Sequence, residues 1–228
     1  MGMNTNPTAK TPWEEAQNVR IISGRHMLLH RLDESHTPYL ALLNRDNNFW
    51  EKYRANHRRT LPIKELAIEL KRSGLTDIAR QRRIEWVIFR KEAGALVPIG
   101  LAGLANLDQK LSSGEISTGI ANQRDRKNGA AIETGMLVLD FAFNTLQLHK
   151  VNSLVYGDNQ YAQRNVLAAG FTQEGLLRNH YRRDIDKPWI DIYQSGILVD
   201  EFRENTRLSI LSRRLIGRDI TSAARKRN

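Results

Sequence analysis

From Ala130 to Leu148 the chain is apolar almost all the way round. Ile132, Met136, Leu139, Phe143 and Leu146 follow 4-3-4-3 steps, and Leu137, Val138, Phe141 and Ala142 fill other sides of the same helix. A helix without a wet face has to be covered from several directions, and the expected cover is a sheet. The flanks supply one. Val151 to Tyr156 (VNSLVY) reads as a short interior strand, and Asn159 starts a further helix that ends at Gly170. Strands resume at Phe171, with Trp189 to Leu198 the last clear one. Upstream, Ile84 to Arg90 (IEWVIFR), Pro98 to Leu107 (thinned by Gly100 and Gly103) and Glu115 to Ala121 suit antiparallel strands joined by short turns. Strands, then a strand–helix–strand–helix unit, then strands again predict a mixed α/β (α+β) fold.

The N-terminal third is less regular. Residues 1–18, with Pro7 and Pro12, read as a flexible lead-in. His26 to Leu32 is the first expected strand, and Asp33 or Ser35 is placed to cap a helix carrying Tyr39, Leu40, Leu42 and Leu43. Asn44 to Thr60 is polar and basic, with Phe49, Trp50, Tyr53, His57 and Arg58 interspersed. A second helix follows from Pro62 with Leu66, Ile68 and Leu70, stopping at Gly74. Residues 19–204 are expected to form one domain, and 205–228 a basic extension carrying Arg207, Arg213, Arg214, Arg218, Arg225, Lys226 and Arg227.

With 228 residues, the chain can bury a sizeable single core. No apolar run approaches the ~20 residues that cross a bilayer, and the first ten residues lack a secretory core, so a cytoplasmic setting is the default expectation. The absence of cysteine excludes disulfides, thiolate metal sites and a cysteine nucleophile, and no histidine spacing suggests a metal centre. A net charge of +10 has two readings, a solvated basic surface or attraction to a polyanion such as a phosphorylated cofactor or nucleic acid. Charge alone does not choose.

The segment entering the apolar helix narrows the choice. Arg126-Lys127-Asn128-Gly129-Ala130-Ala131 places two cations, a glycine and two small residues at a helix start, where unpaired N–H groups and the positive end of the dipole suit a diphosphate. There is no GxxxxGK[ST] and no GxGxxG. Taken alone, the segment is equally an ordinary basic loop before a core helix.

Further pieces occur in order. Arg126-x-x-Gly129-x-Ala131 resembles the Q/R-x-x-G-x-G/A pyrophosphate loop of the GNAT N-acetyltransferases. The likeness continues through Glu133, Leu148-His149-Lys150-Val151, the strand VNSLVYGDN, Asn159 to Arg164, and Gly170-Phe171. Within the superfamily the pattern most resembles the RimJ/RimL-type branch, whose members acetylate protein N-terminal amines. It is specific from about Glu115 to Phe171 and loose before that.

The resemblance implies a mostly antiparallel central sheet with flanking helices. In it a parallel strand pair, here 117–122 and 151–156, splays to admit the pantetheine of acetyl-CoA. Backbone near Ile120 and Ala121 would meet that arm, and amides from Lys127 through Asn128, Gly129 and Ala130 to Ala131 would hold the diphosphate. Asn159 would touch the cofactor, and Arg164 its phosphates. No metal is implied. An N–H near Ile120 would receive the thioester oxygen. The acid and base depart from the family: the usual tyrosine position is Val166, and the branch's glutamate position is Ser117. Glu115, on the same strand face as Ser117, and Tyr161 are the remaining candidates. Asn44 to Arg59 and His180-Tyr181-Arg182-Arg183 are expected to line the acceptor cleft. The expected partner is a primary amine, of a protein N-terminus or of a nucleotide-linked amino sugar. A non-catalytic acyl-CoA-sensing or RNA-binding module is the reading from another class. A monomer or homodimer is expected.

Overall fold

The computed structural model describes residues 10–54, 61–127 and 129–222. Eight strands form one sheet: β1 (Ile21–Ser23), β2 (Met27–Arg31), β3 (Ile84–Glu92), β4 (Ala95–Asp108), β5 (Ser113–Ile120), β6 (Lys150–Tyr156), β7 (Thr172–Tyr181) and β8 (Ile190–Leu198). Their spatial order is β1-β2-β3-β4-β5-β6-β8-β7, and every neighbouring pair is antiparallel except β5 and β6.

Helices cover both faces. On one side lie α1 (Pro12–Ala16), α6 (Ala130–Asp140), α8 (Val199–Glu204) and α9 (Thr206–Leu215). Their apolar residues join Leu29, Trp86, Ile88, Leu104, Ile120 and Val151 of the sheet in the larger core. On the other side lie α2 (Thr37–Leu43), α3 (Asn47–Tyr53) and α4 (Ile63–Leu75), around a smaller cluster that includes Val87 and Leu101. The alternation Trp86, Val87, Ile88 divides one strand between the two cores, as the period of two requires. The helix expected over Ala130 to Leu148 is α6 followed by a π-helical turn over Phe141–Thr145, which turns Phe141, Ala142 and Phe143 all inward. Ile132 departs from the expected apolar stripe and is 41% exposed.

Several expectations need correction. Part of the flexible lead-in is the helix α1, begun by a Thr11–Glu14 capping box with Pro12 in its first turn and anchored by the buried Ala16. The basic extension is folded over most of its described length. Leu208, Ile216 and Ile220 enter the larger core while Arg213 and Arg214 stay outside, an amphipathic stripe that the charge count concealed. Asn44 to Thr60 contains α3, with Phe49, Trp50 and Tyr53 buried. His57 and Arg58 lie outside the described residues. Arg126 and Lys127, at the start of the expected basic loop, belong to the short helix α5 (Gln123–Lys127).

Candidate active site

The parallel pair β5 and β6 is joined only at Ser113↔Lys150, Gly114↔Val151 and Glu115↔Asn152. Beyond that rung each strand keeps its outer partner: β5 stays on β4 to Ile120, and β6 stays on β8 to Tyr156. The two strands therefore part like a fork, with peptide edges on both sides of the gap. Ala121 N–H donates to Ile99 C=O at 2.8 Å, so strand alternation turns the Ile120 and Thr118 N–H groups away from β4 and into the opening.

At the open end α6 begins. Gly129 takes a left-handed conformation at φ +75°, and a Cβ placed on it would meet nothing within 4 Å. Ile132 and Glu133 N–H groups bond back to Gly129 C=O at 3.0 and 3.2 Å, while Ala130 and Ala131, one position earlier, have no i−4 acceptor within α6. Asn128 lies outside the described residues, and Lys127 ends α5. The Arg126 guanidinium points inward rather than into open space, donating to the carbonyls of Ile120 at 2.8 Å and Ala121 at 2.9 Å. Asp125 is buried and ion-paired with Arg90 of β3. Glu133, also buried, accepts from the N–H groups of His26 at 2.9 Å and Met27 at 3.0 Å. These bonds anchor the approach to α6 and its first turn to neighbouring strands.

Across the gap, α7 (Gln160–Ala168) is capped by Asn159, whose Oδ1 accepts from Ala162 N–H at 3.2 Å. Tyr161 and Arg164 are exposed on α7. Glu115 sits on the last closed rung, partly buried, with Oε2 accepting from Asn106 Nδ2 at 2.9 Å. Ser117 lies two residues further, where the strands separate. The side chains of 115, 117 and 119 share the face covered by α3. Phe49 and Tyr53 pack so tightly on Gly119 that a Cβ there would fall 2.7 Å from Tyr53 Cδ2 and 2.9 Å from Phe49 Cε2.

A cavity of about 310 Å³ opens between α3 and the β7–β8 hairpin, lined by Glu51, Lys52, Asp158, Arg183, Lys187, Pro188 and Ile190. Arg183 Nη1 reaches Asp158 Oδ2 at 2.6 Å and holds that carboxyl below its ordinary range against the opposing effect of burial. Tyr181 packs on Tyr156 at 5.0 Å between ring centroids, Arg182 stacks over Trp189 at 4.9 Å, and His180 is exposed. The two segments expected at the acceptor cleft thus meet there through Glu51, Lys52 and Arg183. The sequence did not single out Asp158, which enters the cavity from the turn after β6.

Among the described residues one group has metal-ligand types, His30, Asp33 and His36. Hydrogen bonds within the group account for its closeness. His30 Nδ1 and His36 Nε2 are 2.9 Å apart, and His36 Nδ1 lies 3.1 Å from Asp33 Oδ1. Burial outweighs Asp33 and lowers the His36 pKa.

The model of the acetyltransferase (GNAT) domain matches residues 26–172. The uncharacterized N-acetyltransferase YoaA of Bacillus subtilis (strain 168) is 33% identical over 120 residues, 53% of this chain and 60% of that protein. The match therefore spans less than two thirds of the relative's length. Among solved structures, spermidine N-acetyltransferase from Vibrio cholerae in complex with CoA and spermine superposes with a TM-score of 0.63 at 23% identity, covering 76% of this chain and 95% of that one. A dodecameric structure of the Vibrio cholerae enzyme in an intermediate state gives 0.64 at 23% identity, over 79% and 98%. At these identities the likeness to the solved structures is one of fold.

Proposed function

The chain belongs to the GNAT acetyltransferase domain family, and on that premise we propose that it transfers an acetyl group from acetyl-CoA to a primary amine. The observation that carries the reading is the fork, three paired residues followed by two diverging strands that each remain in the sheet. An acyl-pantetheine arm fits such a gap because it offers amides to the strand edges and little bulk. Open space at left-handed Gly129 and the start of α6 suit the diphosphate.

In this reading Ile120 and Ala121 border the arm. Amides from Lys127 through Asn128, Gly129 and Ala130 to Ala131 hold the diphosphate, Asn159 meets the arm, and Arg164 adds charge for the phosphates. Arg126 acts by fastening the Ile120 and Ala121 carbonyls, which fixes the peptide planes beside the opening. When bound, acetyl-CoA supplies a thioester carbonyl open to attack. The Ile120 N–H is aimed to receive the oxyanion charge that develops there. Holding amine and thioester together accounts for a large part of the expected rate. For proton transfer, Tyr161 is exposed on α7, and Glu115 and Ser117 share the α3 face of β5.

The acceptor is proposed to be a protein N-terminal amine, the RimJ/RimL-type specificity. The cleft beside α3 mixes Glu51 and Asp158 with Lys52, Arg183 and Lys187. Arg183 is taken up by Asp158, which leaves Lys52 and Lys187 against Glu51; an all-cationic polyamine finds a net positive lining there, whereas a peptide brings one amine and several neutral carbonyls. The same excess of one cation is compatible with a second reading, an amino sugar carrying a nucleotide diphosphate. Thiol release from acetyl-CoA, followed over peptide, amino-sugar and polyamine acceptors, tests both. Turnover of peptides supports the first reading, turnover of nucleotide-linked amino sugars alone supports the second, and coenzyme binding without turnover of any amine rejects both in favour of a sensor.

A further inference from the structure

Residues 205–228 hold seven basic residues, six of them arginine, against one acidic residue, Asp219, and so supply most of the net charge of +10. Neither the cofactor cradle nor the acceptor cleft uses any of them. The helix α9 decides how the described ones are displayed. Leu208, Leu211, Ser212 and Leu215 turn to the larger core or are buried beside it. Arg207, Ile210 and Arg214 are left on the outer side, three and seven residues apart as one helical face requires. All three are exposed, Ile210 by 66%.

The carboxylates nearby are already occupied. Asp219 pairs with Arg213 and also accepts from the Ser209 and Thr221 hydroxyls, each at 2.7 Å, while Asp140 pairs with Arg218. Among the described residues no carboxylate pairs with Arg207 or Arg214. Those two stand about 10 Å apart along the helix axis. Past the end of α9 the row continues to Arg25, on the turn between β1 and β2. Its N–H donates to Leu215 C=O at 3.0 Å, and its Nε lies 3.9 Å from the place a Cβ would take on Gly217. Arg25 is exposed and has no carboxylate partner among the described residues either.

Unpaired guanidiniums set in a row repel one another unless an anion runs along them. Arginine, more than lysine, fits phosphate through its planar fork of donors. An anionic bilayer suits the face poorly, because Ile210 alone gives the helix little to insert. Duplex DNA keeps its base faces stacked, whereas single-stranded RNA sets splayed bases beside its phosphates. We propose that the outer face of α9, together with Arg25, binds single-stranded RNA, with Arg207, Arg214 and Arg25 on phosphates and Ile210 against a base. None of the residues given to the cofactor or the acceptor belongs to this face, so the proposal stands apart from the acetyl-transfer reading.

The test follows the fluorescence anisotropy of a short, unstructured, fluorescein-labelled RNA titrated with the full chain. Affinity is expected to fall as salt rises, with a log–log slope of about −2, or ~0.7 for each of three phosphate contacts. Arg207→Gln combined with Arg214→Gln is expected to weaken binding about tenfold to a hundredfold at low salt and to bring the slope to about −0.7. Ile210→Ser should weaken it about threefold and leave the slope alone, since only apolar contact is lost. Saturating acetyl-CoA should change nothing. A double variant that keeps the wild-type affinity and slope overturns the proposal. Displacement of RNA by acetyl-CoA does so too, because it would put the RNA on the diphosphate cradle. No RNA binding at low salt, or tighter binding to duplex DNA or to phosphatidylglycerol vesicles, is equally fatal. Should the double variant fail to fold, Arg25→Gln is expected to remove ~0.7 from the slope, and an unchanged slope there overturns the proposal as well. Loss of acetyl transfer, by contrast, would leave it standing.

Discussion

The two faces of the sheet are built on different terms. The α6 face is one continuous apolar core, and carboxylates buried beside it are tied to partners, Asp125 to Arg90, Asp140 to Arg218 and Glu133 to the amides of His26 and Met27. The α3 face has a smaller core in which Phe49, Trp50 and Tyr53 pack on one another, and Phe49 and Tyr53 on a glycine, among leucines of α2 and α4. Beside that core lie a half-buried phenol–carboxylate pair and a cleft of mixed charge. The first face holds the fork and the start of α6 rigid, which a cofactor site with backbone donors needs. The second presents varied side chains beside the same gap, which suits recognition of an acceptor. Stability and specificity are therefore expected to respond to different mutations.

The largest effect should come from the α6 face. Trp86 is fully buried and meets Phe141 edge-on at 5.2 Å. Trp86→Ala is expected to cost roughly 3–5 kcal/mol in denaturant unfolding. A loss below about 1 kcal/mol would break the contrast between the faces. Next is Gly129→Asp, which puts a side chain at φ +75° and a negative charge at the expected diphosphate site. Acetyl-CoA affinity should fall about tenfold to a hundredfold by calorimetry, since the added carboxylate repels the diphosphate and crowds its approach. Unchanged affinity would count against the cradle.

A subtler change separates the faces directly. Gly119→Ala drives a methyl group into Tyr53 and Phe49, an overpacking expected to cost about 1–3 kcal/mol. Because the strain falls on α3, the acceptor KM should rise while the dissociation constant for acetyl-CoA stays put. If both shift together, the faces are not independent. The smallest effect is at the cleft. The Asp158 carboxyl is depressed by Arg183, so its stabilisation is present above the unfolded carboxyl pKa and disappears as pH falls through the lower folded value. The pair is half exposed, so Asp158→Asn should lower stability by only ~0–1 kcal/mol at neutral pH and by less in acid, as chemical denaturation at both pH values would report. An equal loss at both pH values would assign Asp158 a role other than charge.

Much of the α6 face was legible in the sequence. The apolar helix, the strand after it, the Asn159 cap and the glycine at the helix start all depend on neighbours within a few residues, where periodicity and backbone preference carry the information. Even there the inward turn of Arg126 was invisible, because its partners are carbonyls whose direction follows from the strand's hydrogen-bonding phase.

By itself, then, the sequence determined the strand–helix–strand–helix unit from β5 through α6 and β6 to α7, the glycine-led entry to α6 and the likeness to the acetyltransferase family, because each is written in local spacing. Only the tertiary structure decided that α3 docks on Gly119, that Leu208, Ile216 and Ile220 complete the larger core, and that Glu85 and Ser117 meet across Gly103. Those contacts join segments far apart in the chain. Their partners are chosen by sheet register and helix docking, and a one-residue shift of any strand would have turned the same side chains to the opposite face.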